Sequence, residues 1–320
     1  MIPPSLDALE AAARLVHEVV PPTPQIRWPL VCARAGADVW IKHENHTQVG
    51  AFKLRGGLVY MDKLLRSNPH VAGVVTATRG NHGQSVALAA TRAGLPSVIV
   101  APYGNSREKN AAVRALGAEL IEHGTDFQDA AEYAAELAAR ENLHFVRSFD
   151  ESLVCGVASY ALELFGVVSD LDTVYVPIGM GSGICALIAA RNALGLRTEI
   201  VGVVASRAPA YALSFTAGRA IAAPAGETIA DGMACRVPDA SALEIILEGA
   251  ARVVTVDDAE IAAAMRHLFS DTHNVAEGAG AAAFAALLKE RDRVKDRRFA
   301  VILSGGNVDR DVFARILASG

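Results

Sequence analysis

The sequence predicts an α/β protein of two lobes, each built on a mostly parallel sheet flanked by helices. Three observations carry that prediction. Short β-branched runs alternate along the chain with stretches of helical composition, the order that gives parallel sheets. Several of these runs end at glycine-marked turns, where open parallel sheets bind their ligands. At 320 residues the chain is also too long for one ordinary core.

Taken in order, residues 39–42 read as a short strand and 58–66 as a helix. The β-rich run 71–76 stops at a glycine turn, and 82–93 has helical composition. Residues 97–101 form a further apolar run closed by Pro102, 107–116 are helical, 119–122 a strand and 126–141 a long helix. The second half repeats the logic. Strand 173–177, a glycine loop, helix 184–194 and strand 199–204 are followed by helices 259–270 and 280–289, and by the strand 299–303.

Composition excludes several functions. The chain is 52% hydrophobic and 20% charged, which is globular rather than disordered. A net charge of −5 offers no basic footprint for nucleic acid. No apolar run reaches membrane-spanning length, and the N-terminus lacks the regions of a signal peptide. Cys32, Cys155, Cys185 and Cys235 are scattered without a CxxC pair, the pattern of reduced thiols in a cytoplasmic protein.

Four segments carry chemistry. In Gly50-Ala51-Phe52-Lys53-Leu54-Arg55-Gly56 a lysine stands between an aromatic and a glycine pair, just before the helix expected at 58. Glycines there permit close backbone approach. Most lysines are solvated, and Lys42, Lys63 and Lys109 read that way. In Thr76-Ala77-Thr78-Arg79-Gly80-Asn81-His82-Gly83 a turn joins strand to helix, and its N–H groups can hold an anion. His82 in that turn reads as a packed, hydrogen-bonded residue rather than a metal ligand or base. Gly179-Met180-Gly181-Ser182-Gly183 is a phosphate cradle by type, glycine-rich and set between strand and helix. Its rival is a dinucleotide site, but the third glycine comes one place early, and Glu199 opens its strand instead of closing it. The fourth segment, Leu303-Ser304-Gly305-Gly306-Asn307, follows the last strand.

Together these segments, in this order over nearly the whole chain, resemble the cofactor-contacting segments of the fold-type II pyridoxal-phosphate (PLP) enzymes, and most closely the serine/threonine dehydratases. The resemblance implies PLP held by Lys53 as a Schiff base, with Lys53 afterwards acting as the base. It implies a phosphate cup at Gly179, Met180, Gly181, Ser182 and Gly183, where the family typically has four consecutive glycines. Asn81 would contact the ring hydroxyl, and Ser304 would face the pyridine nitrogen, leaving it unprotonated and favouring elimination. Thr78, Arg79, Gly80 and His82 would line the substrate α-carboxylate, and Glu277 would position the substrate amine or hydroxyl. Alternatively, Glu277 is a helix N-terminal acid, stabilised by the dipole.

Besides Met180 and Ser182, which interrupt that glycine run, this chain departs from the family at three places. Ala51 stands where serine is usual, and Gly278 where proline is usual. Arg79 replaces an alanine or serine; the arginine either binds a second carboxylate bidentately or points to solvent. The racemases of the family use a serine there as second base, so a racemase is the weaker reading. The run 204–210 holds no carboxylate at the place where some relatives bind a divalent cation, so no metal is expected. The implied activity is β-elimination of a 3-hydroxy amino acid, L-threonine or L-serine by default, to a 2-oxo acid and ammonia, with 3-hydroxyaspartate or another 3-substituted serine as alternatives. The implied architecture is a large lobe of residues 1–54 and 149–320, a small lobe of 55–148, and no C-terminal regulatory domain. The small-molecule substrate, a homodimer or higher homo-oligomer and a cytoplasmic location complete the expectation.

Overall fold

A computed structural model describes residues 4–293 and 297–319. Helix α1 (Leu6–His17) and strand β1 (Gln25–Ile26) precede α2 (Pro29–Ala35) and β2 (Asp38–His43). Next come α3 (Lys53–Ser67), β3 (Val74–Ala77), α4 (Asn81–Arg92) and β4 (Ser97–Ala101). They are followed by α5 (Arg107–Ala115), β5 (Glu119–Glu122), α6 (Phe127–Arg140) and β6 (His144–Phe145). The chain continues through α7 (Glu151–Val167), β7 (Thr173–Pro177), α8 (Ser182–Ala193) and β8 (Glu199–Ala205). Helices α9 (Ala210–Ala217) and α10 (Ala240–Gly249), strand β9 (Arg252–Val256) and helices α11 (Asp258–Thr272) and α12 (Gly278–Lys289) lead to β10 (Arg298–Leu303) and α13 (Arg310–Ala318).

The strands form two sheets. One has six strands in the order β1-β2-β10-β7-β8-β9, the other four in the order β5-β4-β3-β6. Every pairing is parallel except that of the short edge strand β1 with β2. The last strand, β10, is inserted between β2 and β7, with Val301 opposite both Ile41 and Tyr175.

Helices cover both faces of the larger sheet, which is why its central strands read as continuous apolar runs. Successive side chains still alternate. Val174, Val176, Ala300 and Ile302 pack toward α1, α7, α8 and α10. Tyr175, Phe299, Val301 and Leu303 pack toward α2, α11 and α12. In the smaller sheet Val74 and Ile99 meet α3 and α4, while Val75, Ala77 and Val100 meet α6.

Two expectations are corrected here. Helix α3 begins at Lys53, not at residue 58. Gly56 and Gly57 lie inside the helix, at places where neighbours leave no room for a side chain. A Cβ on Gly56 would lie 2.8 Å from Leu153 O, and one on Gly57 would lie 2.3 Å from Ser85 Oγ. Glycine thus lets α7 and α4 approach α3 closely. Lys42 is not solvated but fully buried. It donates to Thr23 O at 2.7 Å and pairs with Glu163 on α7. Arg55, also fully buried, binds Glu44 through Nε at 2.7 Å and Glu163 through Nη1 at 2.6 Å. Two cations and two carboxylates thus neutralise one another and clamp the first turn of α3 to the end of β2 and to α7, the arrangement buried charge requires.

Candidate active site

The carboxyl ends of β3, β7 and β10 open onto one cleft of about 970 Å³, counted out to its mouth. Lys53, Thr78, Arg79, Gly80, Asn81, His82, Gly179–Gly183, Glu277 and Ser304 all line it. The structure therefore brings together every site residue expected from sequence.

Lys53 enters from the first position of α3. Its Nζ donates to Ser182 Oγ at 3.0 Å and lies 5.0 Å from the Phe52 ring centroid. Burial without a counter-charge pulls its pKa down to about 8. At pH 7 roughly a tenth of such amines are neutral, against far fewer than one in a thousand for an ordinary lysine. The segment before Lys53 is fastened to the one after β10. Phe52 N donates to Ser304 O at 3.1 Å, Gly306 N donates to Gly50 O at 2.9 Å, and Ala51 bridges Gly305. Ser304, itself buried, is held beside the lysine in this way.

The 179–183 loop turns into α8 with Gly181 at φ +102°, which favours glycine. A Cβ there would also lie 2.8 Å from Ala242 Cβ. Tyr211 donates to Met180 O at 3.0 Å and Tyr160 to Gly183 O at 3.1 Å. Loop carbonyls are thereby held within the protein. The first intrahelical bond runs from Cys185 N to Gly181 O, so the amides of residues 180–183 precede it.

The 78–83 loop is stiffened from inside. Thr78 Oγ1 accepts from Gly80 N at 2.9 Å and from Gly83 N at 3.2 Å. Two amides expected to face an anion are therefore occupied, and the Thr78 hydroxyl acts as a cap. Asn81 donates to Glu277 Oε1 at 2.6 Å and accepts from Asn307 Nδ2 at 2.8 Å. His82 is buried. Burial and the nearby Lys53 hold its pKa at about 3, so it is neutral and its Nε2 has no partner. The packed reading holds for His82, except for this one unsatisfied nitrogen. Arg79 is exposed at the cleft and makes no ion pair or hydrogen bond among the described residues.

Glu277 stands at the N-cap position of α12, yet its side chain caps nothing. It turns into the cleft instead. Desolvation raises its pKa, opposed by Lys109. Lys109 is the second correction to the lysines read as solvated. It is buried on α5, 2.8 Å from Asp231 Oδ2 and 3.4 Å from Glu277 Oε2. Sequence reasoning missed Lys109 because its partners lie on distant segments. Asp231 opens the short helical turn Asp231–Met233.

The site fits PLP on its own chemistry. An amine without a counter-ion, a row of amides ahead of a helix and a buried serine hydroxyl share one cleft, and a phosphorylated aldehyde is complementary to that set. The chain belongs to the family of pyridoxal-phosphate dependent enzymes, whose pattern matches residues 16–305. It is 32% identical over 317 residues to the L-threonine ammonia-lyase of Thermotoga maritima, covering 99% of this chain and 79% of that one. The L-threo-3-hydroxyaspartate ammonia-lyase of Saccharomyces cerevisiae is 30% identical over 319 residues, covering 99% and 97%. Among solved structures, the processed form of threonine deaminase isoform 2 from Solanum lycopersicum superposes with a TM-score of 0.90 at 29% identity, covering 99% of this chain and 95% of that one.

Proposed function

We propose that this protein is a PLP-dependent ammonia-lyase that removes water and then ammonia from a 3-hydroxy amino acid, with L-threonine and L-serine as substrates. The observation that carries the reading is the meeting of Lys53, the 179–183 amides and Ser304 in one cleft. PLP, when bound, supplies the electron sink that makes the substrate Cα–H acidic. Lys53, whose pKa burial lowers to about 8, takes that proton in its neutral form. The residue 180–183 amides and the N-terminus of α8 hold the cofactor phosphate. Asn81, its side chain fixed by Glu277 and Asn307, would hold the edge of the cofactor ring. Ser304 would offer the cofactor's pyridine nitrogen a hydroxyl, which does not stabilise a positive charge there as a carboxylate would. The unoccupied amides around Arg79, Asn81 and His82 receive the α-carboxylate, and Glu277 receives the amine or β-hydroxyl. The β-hydroxyl leaves as water, and hydrolysis of the resulting enamine gives the 2-oxo acid and ammonia.

The proposal includes the division into lobes. Residues 55–148 carry the four-stranded sheet, though a boundary at residue 54 falls within the first turn of α3. It also includes assembly into a homodimer or higher homo-oligomer, tested by light scattering. A cytoplasmic location is supported by four free cysteines.

The test is an oxo-acid assay over threonine, serine and threo-3-hydroxyaspartate. Turnover of threonine or serine supports the reading, and its absence for all three overturns it. One observation favours hydroxyaspartate as the second reading. Arg79 presents an unpaired guanidinium at the cleft, suited to a substrate β-carboxylate.

A further inference from the structure

We propose that Lys109 is a positioning residue for the reaction: it locks α5 onto Asp231 and Glu277, and thereby holds Glu277 and Asn81 in register over the reacting atoms. The inference rests on the ammonia-lyase reading and names a residue that reading does not use.

Four observations converge on Lys109. It sits on α5, which packs beside α4 and β5 of the smaller sheet's unit, while both its carboxylate partners lie beyond β8 in the chain. The rest of the first turn of α5 makes the same crossing. Ser106 Oγ donates to Asp309, and Glu108 Oε1 accepts from Arg310 N at 3.0 Å. Lys109 supplies the buried charge in this seam.

The network then continues without a break. Glu277 Oε2 faces Lys109 Nζ, Glu277 Oε1 accepts from Asn81, and Asn81 accepts from Asn307. Moving the ammonium therefore moves both expected substrate- and cofactor-facing side chains. The 78–83 loop is shaped to the lysine as well. A Cβ on Gly80 would stand 2.6 Å from Lys109 Cδ, so the lysine stem crosses the loop where a glycine leaves room. Finally, Lys109, Asp231 and Glu277 line both the cleft and a neighbouring cavity whose walls include Ser106, Thr228 and Asp258. They form the partition between the two.

Two carboxylates share one ammonium in this partition, and among the described residues Lys109 is the cation paired with either of them. Burial pulls the Lys109 pKa down, but Glu277 and Asp231 outweigh it, and the net is upward, so it is a fixed cation. Without it, Asp231 and Glu277 face each other uncompensated, and a buried carboxylate in that state protonates or moves away.

The test compares Lys109→Met, which keeps most of the stem, Lys109→Arg, which keeps the charge, and Asp231→Asn, all as holoenzyme. Lys109→Met retains bound cofactor by absorbance and loses kcat by about a hundredfold, with a smaller change in KM, the scale expected of a misplacement near one ångström. Lys109→Arg recovers at least part of that loss, and Asp231→Asn shows a milder version of it. Wild-type kcat in Lys109→Met overturns the proposal, as does a loss that Lys109→Arg leaves unrelieved. If Lys109→Met does not fold, wild-type kcat in Asp231→Asn overturns it equally. Hydrogen exchange supplies a readout that needs no turnover. Amides of α5 and of residues 78–83 exchange faster in Lys109→Met, or in Asp231→Asn, than in wild type. Unchanged exchange refutes the latch even if the wild type yields no 2-oxo acid, a result that would count against the ammonia-lyase reading instead.

Discussion

Lys53 and Lys109 line the same cleft and are both withdrawn from water, yet their charges are handled in opposite ways. Lys53 has a serine hydroxyl at 3.0 Å and no carboxylate, and its pKa falls to about 8. Lys109 has two carboxylates, and its pKa rises. Burial acts downward on both; the counter-ions decide the outcome. Lys42 is an intermediate case, since burial lowers its pKa in spite of Glu44 and Glu163, with Arg55 adding to the fall. A buried lysine is therefore a nucleophile or a strut according to what stands beside it. Of these three lysines, Lys53 is the one without a carboxylate partner.

The comparison can be broken in graded steps. The largest effect is expected at Lys53. Lys53→Ala should lose the visible absorbance of lysine-bound cofactor and, with its proton transfer gone, at least about 10²–10⁴-fold of 2-oxo acid production. Normal turnover by this variant would sink the assignment.

Arg55 tests the paired extreme. Arg55→Met leaves Glu44 and Glu163 with one cation between them, and breaking a buried pair typically costs about 3–5 kcal/mol. Urea unfolding should show that loss, and a change under about 1 kcal/mol would mean the cluster is not holding α3.

Arg79 is a cation outside both categories, exposed and unpaired. A charge-assisted bond to a β-carboxylate contributes about 1.5–3 kcal/mol, or roughly ten- to a hundredfold in specificity. Arg79→Ala should lose that factor on threo-3-hydroxyaspartate and little on threonine. Equal losses on all three substrates would make it an α-carboxylate or structural residue.

The smallest effect is a pH dependence. Only the neutral amine attacks the cofactor aldehyde, so capture of PLP by the apoprotein should rise with pH and reach half its maximum near pH 8. A midpoint near the ordinary 10.5 would show that Lys53 is not desolvated. Linkage gives a matching sign. The folded state binds the Lys53 proton more weakly than the unfolded chain, so the group destabilises the fold below pH 8, and the penalty fades as pH rises toward 10.5. Lys53→Met should therefore raise the thermal midpoint of the apoprotein at pH 7 while abolishing activity.

How much of this could be read from the sequence depended on how local each signal was. Lys53, the 78–83 loop, the 179–183 loop and Ser304 each announce themselves within a few residues, as glycine beside a strand end. Lys42 and Lys109 do not. Their partners are 121 and 122 residues away for Glu163 and Asp231, and no spacing rule links a lysine to a carboxylate at that range. Helix α7 escaped notice for another reason. It is apolar on nearly every face, being packed against α1, α3 and α8, so it lacks the polar stripe that marks an amphipathic helix. The early start of α3 was hidden by Gly56 and Gly57, whose need for glycine comes from Leu153 and Ser85 rather than from a turn.

The insertion of β10 between β2 and β7 gives the chain a timetable. As synthesis proceeds, β7, β8 and β9 can pair as they emerge, but β2 has no partner in that sheet beyond the two-residue β1 until residues 298–303 arrive. The segment before Lys53 is fastened to residues 304–306, so that fastening also waits for the last strand. A chain stopped before Ser304 lacks that fastening, so truncation ahead of the last strand should weaken PLP capture, a loss that cofactor absorbance would report.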